Sequence, residues 1–279
     1  MVEETETLSA ETTVGRVGLT VTDAASVASF YETTVGLSRH ETTEQRIVLG
    51  DGETPLLELY EDASAPARPR SAAGLFHTAF RVPSRSALGD ALARFERAGQ
   101  LDGASDHLVS EALYCSDPEG NGVEVYCDRP RSEWSESADG GVEMATELLD
   151  LADLRTAAAG AEQAPVGTDV GHVHLEVTSL DVARKFYVDA LGMTVRTSYD
   201  GALFLAAGDY HHHVGVNVWN RRTNPVGGRG LAWFELVVPN NGALDAASER
   251  LSAAGYEVTA AEQGVSVTDP DGVTVRLRS

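Results

Sequence analysis

The segment RVGLTVTDAASVASFYETTVGLSRHE, residues 16–41, aligns without a gap with HVHLEVTSLDVARKFYVDALGMTVRT, residues 172–197. Both segments read as a short alternating strand, a turn and an amphipathic helix that ends in Phe-Tyr. Gly36 and Gly192 follow these helices, where a glycine commonly ends a helix in the left-handed conformation. The chain therefore contains two related halves, and this repeat decides the fold.

A second pair of segments divides each half again. GLFHTAFRVP (74–83) matches GLAWFELVVP (230–239), and a helical pattern follows each of them. Both halves then close with an Asp-Pro-x-Gly turn and a final strand, in DPEGNGVEVY (117–126) and DPDGVTVRLR (269–278). The pattern predicts four strand–helix–strands units, numbered one to four here, in an α+β fold with antiparallel sheets.

The repeat also predicts the domain organisation. We expect a first domain over residues 14–130 and a second over residues 169–279. Residues 131–168 form an acidic linker in which the pattern predicts a helix over residues 144–159. Eight strands from two units are expected to curl into a half-open cup.

Composition restricts the classes of function. The chain has 279 residues and a formal net charge of -22, which disfavours nucleic acid and anionic membrane surfaces as partners. Lys185 is the single lysine, and such an acidic, lysine-poor surface is expected of a protein from a halophilic cytoplasm.

Cysteine usage and the N-terminus predict a cytoplasmic protein. Cys115 and Cys127 form no CxxC pair, so we expect free thiols in a reducing compartment. The N-terminal stretch MVEETETLSAETTVG has neither a basic region nor an apolar core, so no secretory signal is expected. No apolar run approaches the roughly 18 residues of a membrane span.

The Phe-Tyr…Gly-Leu helix and the closing DPxGN…E pattern resemble the vicinal oxygen chelate superfamily, which includes glyoxalases, bleomycin-resistance proteins and extradiol dioxygenases. The resemblance covers residues 14–126 and 171–278, and it is strongest to catechol 2,3-dioxygenases. It implies four tandem βαβββ units that form two half-open antiparallel β-barrel cups. In this superfamily two units surround one divalent metal ion.

The resemblance also implies where metal ligands lie, on the first strand of one unit and on the first and last strands of its partner unit. The positions of the first half are occupied by Arg16, His77 and Glu124, and those of the second half by His172, Trp233 and Arg276. Neither half holds a complete set, but His77, Glu124 and His172 together do. We therefore expect units two and three to share one cup, while units one and four form a second cup that cannot bind a cation.

Two histidines and one carboxylate form a facial triad, which is typical of non-haem Fe(II) oxygenases. Mn(II) or another divalent ion also suits these ligands. The resemblance therefore implies Fe(II) as the cofactor, with other divalent metals left open.

A histidine triplet lies in GDYHHHVGVNVW, residues 208–219. Similar extradiol enzymes carry an acid/base histidine in a pattern that His212 matches, followed by aliphatic-small-aliphatic residues. Strict strand alternation would instead place His212 on the same strand face as Val214, Val216 and Val218. It would place His211 and His213 on the other face, with Asn217. The role of His212 therefore requires a local irregularity. We predict that His211, His213 and Asn217 lie near the substrate.

Three further residues complete the predicted site. The family carries a tyrosine ten residues before its carboxylate ligand, and Tyr114 stands at that spacing from Glu124. His107 resembles a histidine that supports catalysis in these enzymes, although its spacing is offset by two. His174 shares the strand face of His172 and is a candidate for the pocket wall or for packing against the neighbouring strand.

The resemblance implies an extradiol dioxygenase that cleaves a small aromatic diol with O2. Two other classes stay open, a glyoxalase-like isomerase or conjugating enzyme and a metal-free resistance or binding protein. The isomerases usually carry a fourth ligand, Glu or Gln, at the first-strand position, which is His172 here. A filled triad disfavours the metal-free class. We expect no nucleic-acid or membrane partner, and association into a homo-oligomer is left open.

Overall fold

The structure, a computed structural model, describes residues 7–137 and 140–279. Residues 1–6, at the N-terminus for which no secretory signal is expected, lie outside the described residues. Residues 138–139 of the predicted linker also lie outside them. Unit one contains β1 (Thr13–Val21), α1 (Ala24–Phe30), β2 (Ser38–Thr42), β3 (Arg46–Gly50) and β4 (Pro55–Glu61). Unit two contains β5 (Gly74–Arg81), α2 (Arg85–Ala98), β6 (Gly103–Asp106), β7 (Ser110–Ser116) and β8 (Gly122–Asp128).

The second half repeats this order after a connecting segment. The segment contains a 3-10 turn (Arg131–Glu133), β9 (Glu147–Leu148) and α3 (Leu151–Ala157). Unit three contains β10 (Asp169–Glu176), α4 (Leu180–Arg184), β11 (Thr194–Tyr199), β12 (Ala202–Ala206) and β13 (Val214–Asn217). Unit four contains β14 (Gly230–Val237), α5 (Asn241–Ala253), β15 (Val258–Ala261), β16 (Gly264–Thr268) and β17 (Thr274–Arg278).

The strands form two curled sheets, each built from two units. Units one and four form the order β15-β16-β17-β14-β1-β4-β3-β2, and units three and two form β11-β12-β13-β10-β5-β8-β7-β6-β9. The α+β fold of four tandem units is confirmed, and so is the pairing of unit two with unit three. Each sheet is mixed rather than wholly antiparallel, because the first strand of every unit pairs in parallel with its last strand. That parallel pair requires the crossover that the helix supplies.

The helix in the connecting segment is shorter than predicted. It covers Leu151–Ala157, and Asp150 caps it by accepting hydrogen bonds from two backbone amides. Residues 144–150 and 158–159, which the sequence placed in this helix, lie outside it, and β9 within the first of these stretches pairs with the edge strand β6 instead. The connecting segment thus extends the sheet of units two and three by one strand.

The repeated Phe-Tyr motif lies at the end of the first helix of each half. There α1 and α4 widen into π-helical turns, Tyr31–Val35 and Lys185–Ala190. Tyr187 is fully buried and its hydroxyl donates to Asp269 of the second Asp-Pro-x-Gly turn, at 2.9 Å. In the second half, the motif therefore ties the helix of unit three to the closing turn of unit four.

Two further expectations can be compared with the structure. Cys115 and Cys127 are both free and buried, as predicted. Burial raises the pKa of the Cys127 thiol to about 11, which is typical of an unreactive thiol. Among residues 7–137 and 140–279, no helix combines the length and the apolar character needed to cross a membrane.

A glycine at the start of β10 allows a close contact beneath the predicted site. The register of β10 against β5 shifts between Val170 and His172, so Gly171 is the extra residue of this irregularity. A Cβ atom at position 171 would overlap the Tyr126 hydroxyl group. This hydroxyl also bonds to the Tyr210 hydroxyl at 2.7 Å, so its position is fixed.

We expect Gly171→Ala to lower the free energy of unfolding by about 1–3 kcal/mol, the usual cost of overpacking. Urea denaturation monitored by fluorescence would measure it. Gly103→Ala in β6 is the matched control, because no atom lies within 4 Å of its added Cβ. Adding Tyr126→Phe to Gly171→Ala should recover part of the loss. Equal stabilities of Gly171→Ala and the control would show that the contact does not constrain β10.

Candidate functional site: a buried His-Glu-His centre in an aromatic cavity

Three strands of the second sheet bring the predicted ligands together around Ala79. In the register of the sheet, Ala79 of β5 lies opposite His172 of β10 on one side and Glu124 of β8 on the other. His77 precedes Ala79 by two residues and therefore projects from the same face of β5. Ala79 is fully buried, and its methyl group leaves the space between its neighbours to the larger side chains.

The three side chains present one ligand atom each to a common point. Glu124 Oε2 lies 3.0 Å from His77 Nε2 and 3.2 Å from His172 Nε2, and the two nitrogens are 3.3 Å apart. Atoms that bind one ion at about 2.1 Å and at right angles are separated by roughly 3 Å, so the donor set fits a divalent metal. Within residues 7–137 and 140–279 this is the one group of three or more such ligands.

The electrostatics of the centre favour metal binding. Burial lowers the pKa of His172 to about 4, so its imidazole is neutral at physiological pH. Although burial opposes ionisation of Glu124, the neighbouring His172 and His77 hold the pKa of this carboxyl well below its usual range. Neutral imidazoles and an ionised carboxylate are the forms that bind a metal.

The centre lies in the wall of a cavity of about 650 Å³. This volume is within the range of roughly 300–1,000 Å³ that is usual for small-molecule sites. The wall is mainly aromatic and apolar, and no arginine or lysine lines it among the described residues. Besides the ligands, its principal side chains are Phe76, His107, Tyr114, Met144, His174, Tyr199, Phe204, His212 and Trp219.

The histidine triplet lies in the loop before β13, which begins at Val214. Strand alternation therefore does not apply to it, and His212 lines the cavity although Val214 packs in the core. The His212 ring lies against the His172 ring, with 4.0 Å between centroids and 45° between the ring planes. Its Nε2 atom is buried and has no hydrogen-bond partner among the described residues.

The other members of the triplet, and Asn217, form hydrogen bonds with protein groups. His211 Nε2 bonds to Asp128, and His213 Nδ1 accepts from the backbone amide of Ala207. The amide of Asn217 donates to the Leu175 carbonyl. Neither these two histidines nor Asn217 lines this cavity, and their contact with substrate stays a prediction.

Tyr114 lies across from Glu124 in the register of β7 against β8, and it forms a hydrogen-bonded pair with His107. His107 Nε2 lies 2.7 Å from the Tyr114 hydroxyl, and His107 Nδ1 lies 2.7 Å from the Ala145 carbonyl. Because a carbonyl only accepts, Nδ1 carries the hydrogen of a neutral His107, and Nε2 then accepts from Tyr114. The Tyr114 oxygen consequently presents lone pairs toward the cavity.

His174 lies beside the centre rather than away from it. Its ring is 5.0 Å from the His77 ring, and a Cβ atom at Gly215 would overlap it. Gly215 is the small residue in the aliphatic-small-aliphatic pattern after the triplet, so the pattern has a direct packing cause. Burial lowers the pKa of His174 well below its usual range, so the ring is neutral.

Sequence reasoning missed two parts of the site. The connecting segment supplies Met144, Ala145 and Thr146 to the cavity wall, and no periodicity in the sequence marks them. Tyr126 and Asp128, in contrast, follow Glu124 at alternating positions of β8. Because side chains alternate along a strand, counting from Glu124 could have placed Tyr126 and Asp128 on the same face of β8 as this ligand.

Comparisons with known proteins agree with this architecture. The model of the Glyoxalase/Bleomycin resistance protein/Dioxygenase superfamily matches residues 13–125 and 169–277. A relative from Bacillus subtilis (strain 168), named catechol-2,3-dioxygenase, is 39% identical over 269 residues, which cover 93% of this chain and 94% of the relative.

Solved structures share the fold at low sequence identity. A candidate dioxygenase from Bacillus subtilis subsp. subtilis str. 168 superimposes with a TM-score of 0.64 at 11% identity, covering 98% of this chain and 85% of that one. Glyoxalase I from Zea mays superimposes with a TM-score of 0.58 at 15% identity, covering 96% and 92%. The family match over both halves and the 39% identical relative show that the chain belongs to the glyoxalase/bleomycin resistance/dioxygenase superfamily.

Proposed function

We propose that this protein is an extradiol dioxygenase that cleaves a catechol-type aromatic with O2 and a divalent metal, most simply Fe(II). The observation that carries the proposal is the convergence of His77, Glu124 and His172 in the wall of an aromatic cavity that His212 also lines. The relative named catechol-2,3-dioxygenase, 39% identical along nearly the whole chain, supports the same chemistry.

His77, Glu124 and His172 would hold the metal and leave its remaining positions toward the cavity. When bound, a redox-active divalent ion supplies Lewis acidity to the catechol oxygens and a reaction site for O2. Mn(II) fits the same donor atoms. Within residues 7–137 and 140–279 no second carboxylate joins the three ligands as a fourth donor, which disfavours the four-ligand arrangement of glyoxalase-like isomerases.

The cavity favours an aromatic and uncharged substrate. Phe76, Phe204 and Trp219 offer ring faces and edges for packing against an aromatic ring. Because no arginine or lysine lines the cavity among the described residues, a carboxylated ring would find no counter-ion there. A catechol with no substituent or an apolar one is therefore the preferred substrate class.

His212 is the proposed acid/base residue. Its Nε2 atom is buried, lacks a partner among the described residues and lies on a ring that lines the cavity. From this position Nε2 takes the proton of a catechol hydroxyl and returns a proton as the ring opens beside the diol. The neutral ring that burial imposes is the form that accepts the first proton.

Tyr114 and His107 are proposed to fix the substrate on the other side. In the resting site Tyr114 donates to His107, so its oxygen is ready to accept a hydrogen bond from a substrate hydroxyl. Tyr114 has a second possible role, as a donor to negative charge that develops on a substrate oxygen. That role requires the Tyr114 hydrogen to rotate from His107 toward the substrate during the reaction.

The metal ligands can be tested by metal analysis. Replacing His77, Glu124 or His172 by Ala should weaken binding of Fe(II) or Mn(II) by at least about 100-fold, because even residues that only support a ligand contribute 10–100-fold. Inductively coupled plasma mass spectrometry after anaerobic loading would measure the content. His40→Ala is the matched control, since His40 is an exposed histidine of β2 outside the site. Full metal content in all three ligand variants would refute the assignment.

Catalysis can be separated from metal binding. We expect His212→Ala to keep metal and catechol binding but to lose roughly 10²–10⁴ in kcat, the usual contribution of a positioned general acid or base. Tyr114→Phe should cost less, because one hydrogen bond to developing charge contributes about 3–4 kcal/mol at most. The appearance of the conjugated ring-opened product measures both.

The outcome that contradicts the dioxygenase is equally specific. Wild-type protein that is loaded with Fe(II) and turns over no catechol in air, yet isomerises a glutathione hemithioacetal, would assign the chain to the isomerases. Loss of turnover in His211→Ala but not in His212→Ala would keep the function and move the acid/base role within the triplet.

A further inference from the structure

A chain of hydrogen bonds runs from His212 away from the cavity. His212 Nδ1 lies 2.7 Å from His211 Nδ1, and His211 Nε2 lies 3.0 Å from Asp128 Oδ1. His211 is buried and does not line the cavity, so it stands between His212 and the carboxylate. Neither His211 nor Asp128 has a part in the chemistry proposed above.

The direction of each hydrogen bond follows from the groups involved. The Asp128 carboxylate accepts hydrogen bonds from Arg81 Nη1 at 3.2 Å and from the Tyr210 hydroxyl, which lies 3.2 Å from Oδ1 and 3.1 Å from Oδ2. The carboxylate is therefore surrounded by donors. His211 Nε2 must therefore carry a hydrogen and donate to Asp128. A neutral His211 then has a lone pair on Nδ1, which can only accept. His212 must donate to it from Nδ1.

This arrangement leaves the lone pair of His212 on Nε2. Both rings are buried among aromatic and imidazole neighbours, where an additional charged group would be poorly solvated. A charged His212 would also place an N–H group at the buried Nε2, which has no acceptor among the described residues. The neutral ring with its hydrogen on Nδ1 is the form that satisfies every partner.

We propose that Asp128 and His211 are positioning residues that hold the single ring hydrogen of His212 on Nδ1 and so present Nε2 to the cavity as a proton acceptor. The inference rests on the proposed function of His212. It gives the histidine triplet a division of roles, in which His212 meets the substrate and His211 connects it to a carboxylate. When His212 Nε2 takes the substrate proton, the hydrogen bond from His212 Nδ1 to His211 persists. The negative charge of Asp128 then lies on the far side of the His211 ring from the positive His212 ring.

Asp128→Asn tests the direction of the hydrogen bonds that run from His212 through His211 to Asp128. The substitution changes few atoms. We call this chain of hydrogen bonds the relay. The amide nitrogen of Asn can donate to His211 Nε2, which would move the His211 hydrogen to Nδ1 and reverse its bond with His212. His212 would then carry its hydrogen on Nε2 and could not accept the substrate proton. We expect a loss of roughly 10²–10⁴ in kcat, as for the equivalent Asp-to-Asn change in a serine protease triad, which forces the wrong tautomer. The KM for catechol and the metal content should stay within about twofold.

Two further variants separate positioning from support of the fold. Tyr210→Phe is the matched control, because it removes another hydrogen bond of Asp128 and leaves the relay intact. It should retain kcat. His211→Phe keeps a ring of similar size but removes both nitrogens, and it should lose kcat as Asp128→Asn does. It is the second variant if Asp128→Asn does not fold.

Nitrogen-15 spectra of the full-length, metal-free protein give a readout that needs no turnover. The His212 ring should show a protonated Nδ1 and an unprotonated Nε2 in the wild type, and the reverse in Asp128→Asn. A wild-type His212 protonated on Nε2 would overturn the proposal, and so would an Asp128→Asn loss no larger than that of Tyr210→Phe. If the wild type cleaves no catechol, the proposed function fails while the spectra still decide the tautomer.

Discussion

The antiparallel pairing of β5 with β10 is the constraint on which the site depends. It joins units two and three, and its register sets His172 opposite Ala79, which also neighbours Glu124. A slip of one residue would turn His172 to the other face of the sheet and remove it from the centre. The irregularity at Gly171 and the Tyr126 hydroxyl beneath it fix the register at this point. The geometry of the candidate metal centre is thus set by strand pairing between two units of one chain.

The other sheet has the same topology but a different interior. At the positions equivalent to the ligands, Arg16 bonds to Glu235 at 2.7 Å and to Glu58 at 2.6 Å, and Arg276 lies over the Trp233 ring at 3.8 Å. Guanidinium groups neutralise the buried carboxylates there, so no ligand set is free for a cation. Buried ion pairs of this kind favour one specific arrangement more than they add stability. One cup therefore holds the candidate metal centre, while the carboxylates at the equivalent place in the other cup form ion pairs.

The repeat made the fold predictable to a large extent. The four units followed from repeated motifs, and the pairing of unit two with unit three followed from ligand positions split between the halves. The two free cysteines followed from the absence of a CxxC pair. The triplet was harder, because alternation was applied to residues that lie in a loop before β13. Sequence could not place Met144–Thr146 on the cavity wall either, since a connecting segment without periodicity is positioned by its tertiary contacts. The position of Asp128 near the site could have been predicted from the sequence, because Glu124, Tyr126 and Asp128 share one strand face.

Anomalous diffraction from crystals grown anaerobically with Fe(II) would test the central claim most directly. The account predicts one peak per chain, within bonding distance of His77 Nε2, Glu124 Oε2 and His172 Nε2, and no peak between Arg16 and Trp233. Adding a catechol should place both of its oxygens on the metal, with one of them near His212 Nε2. A metal bound in the sheet of units one and four, or at His211 and His213, would contradict the account.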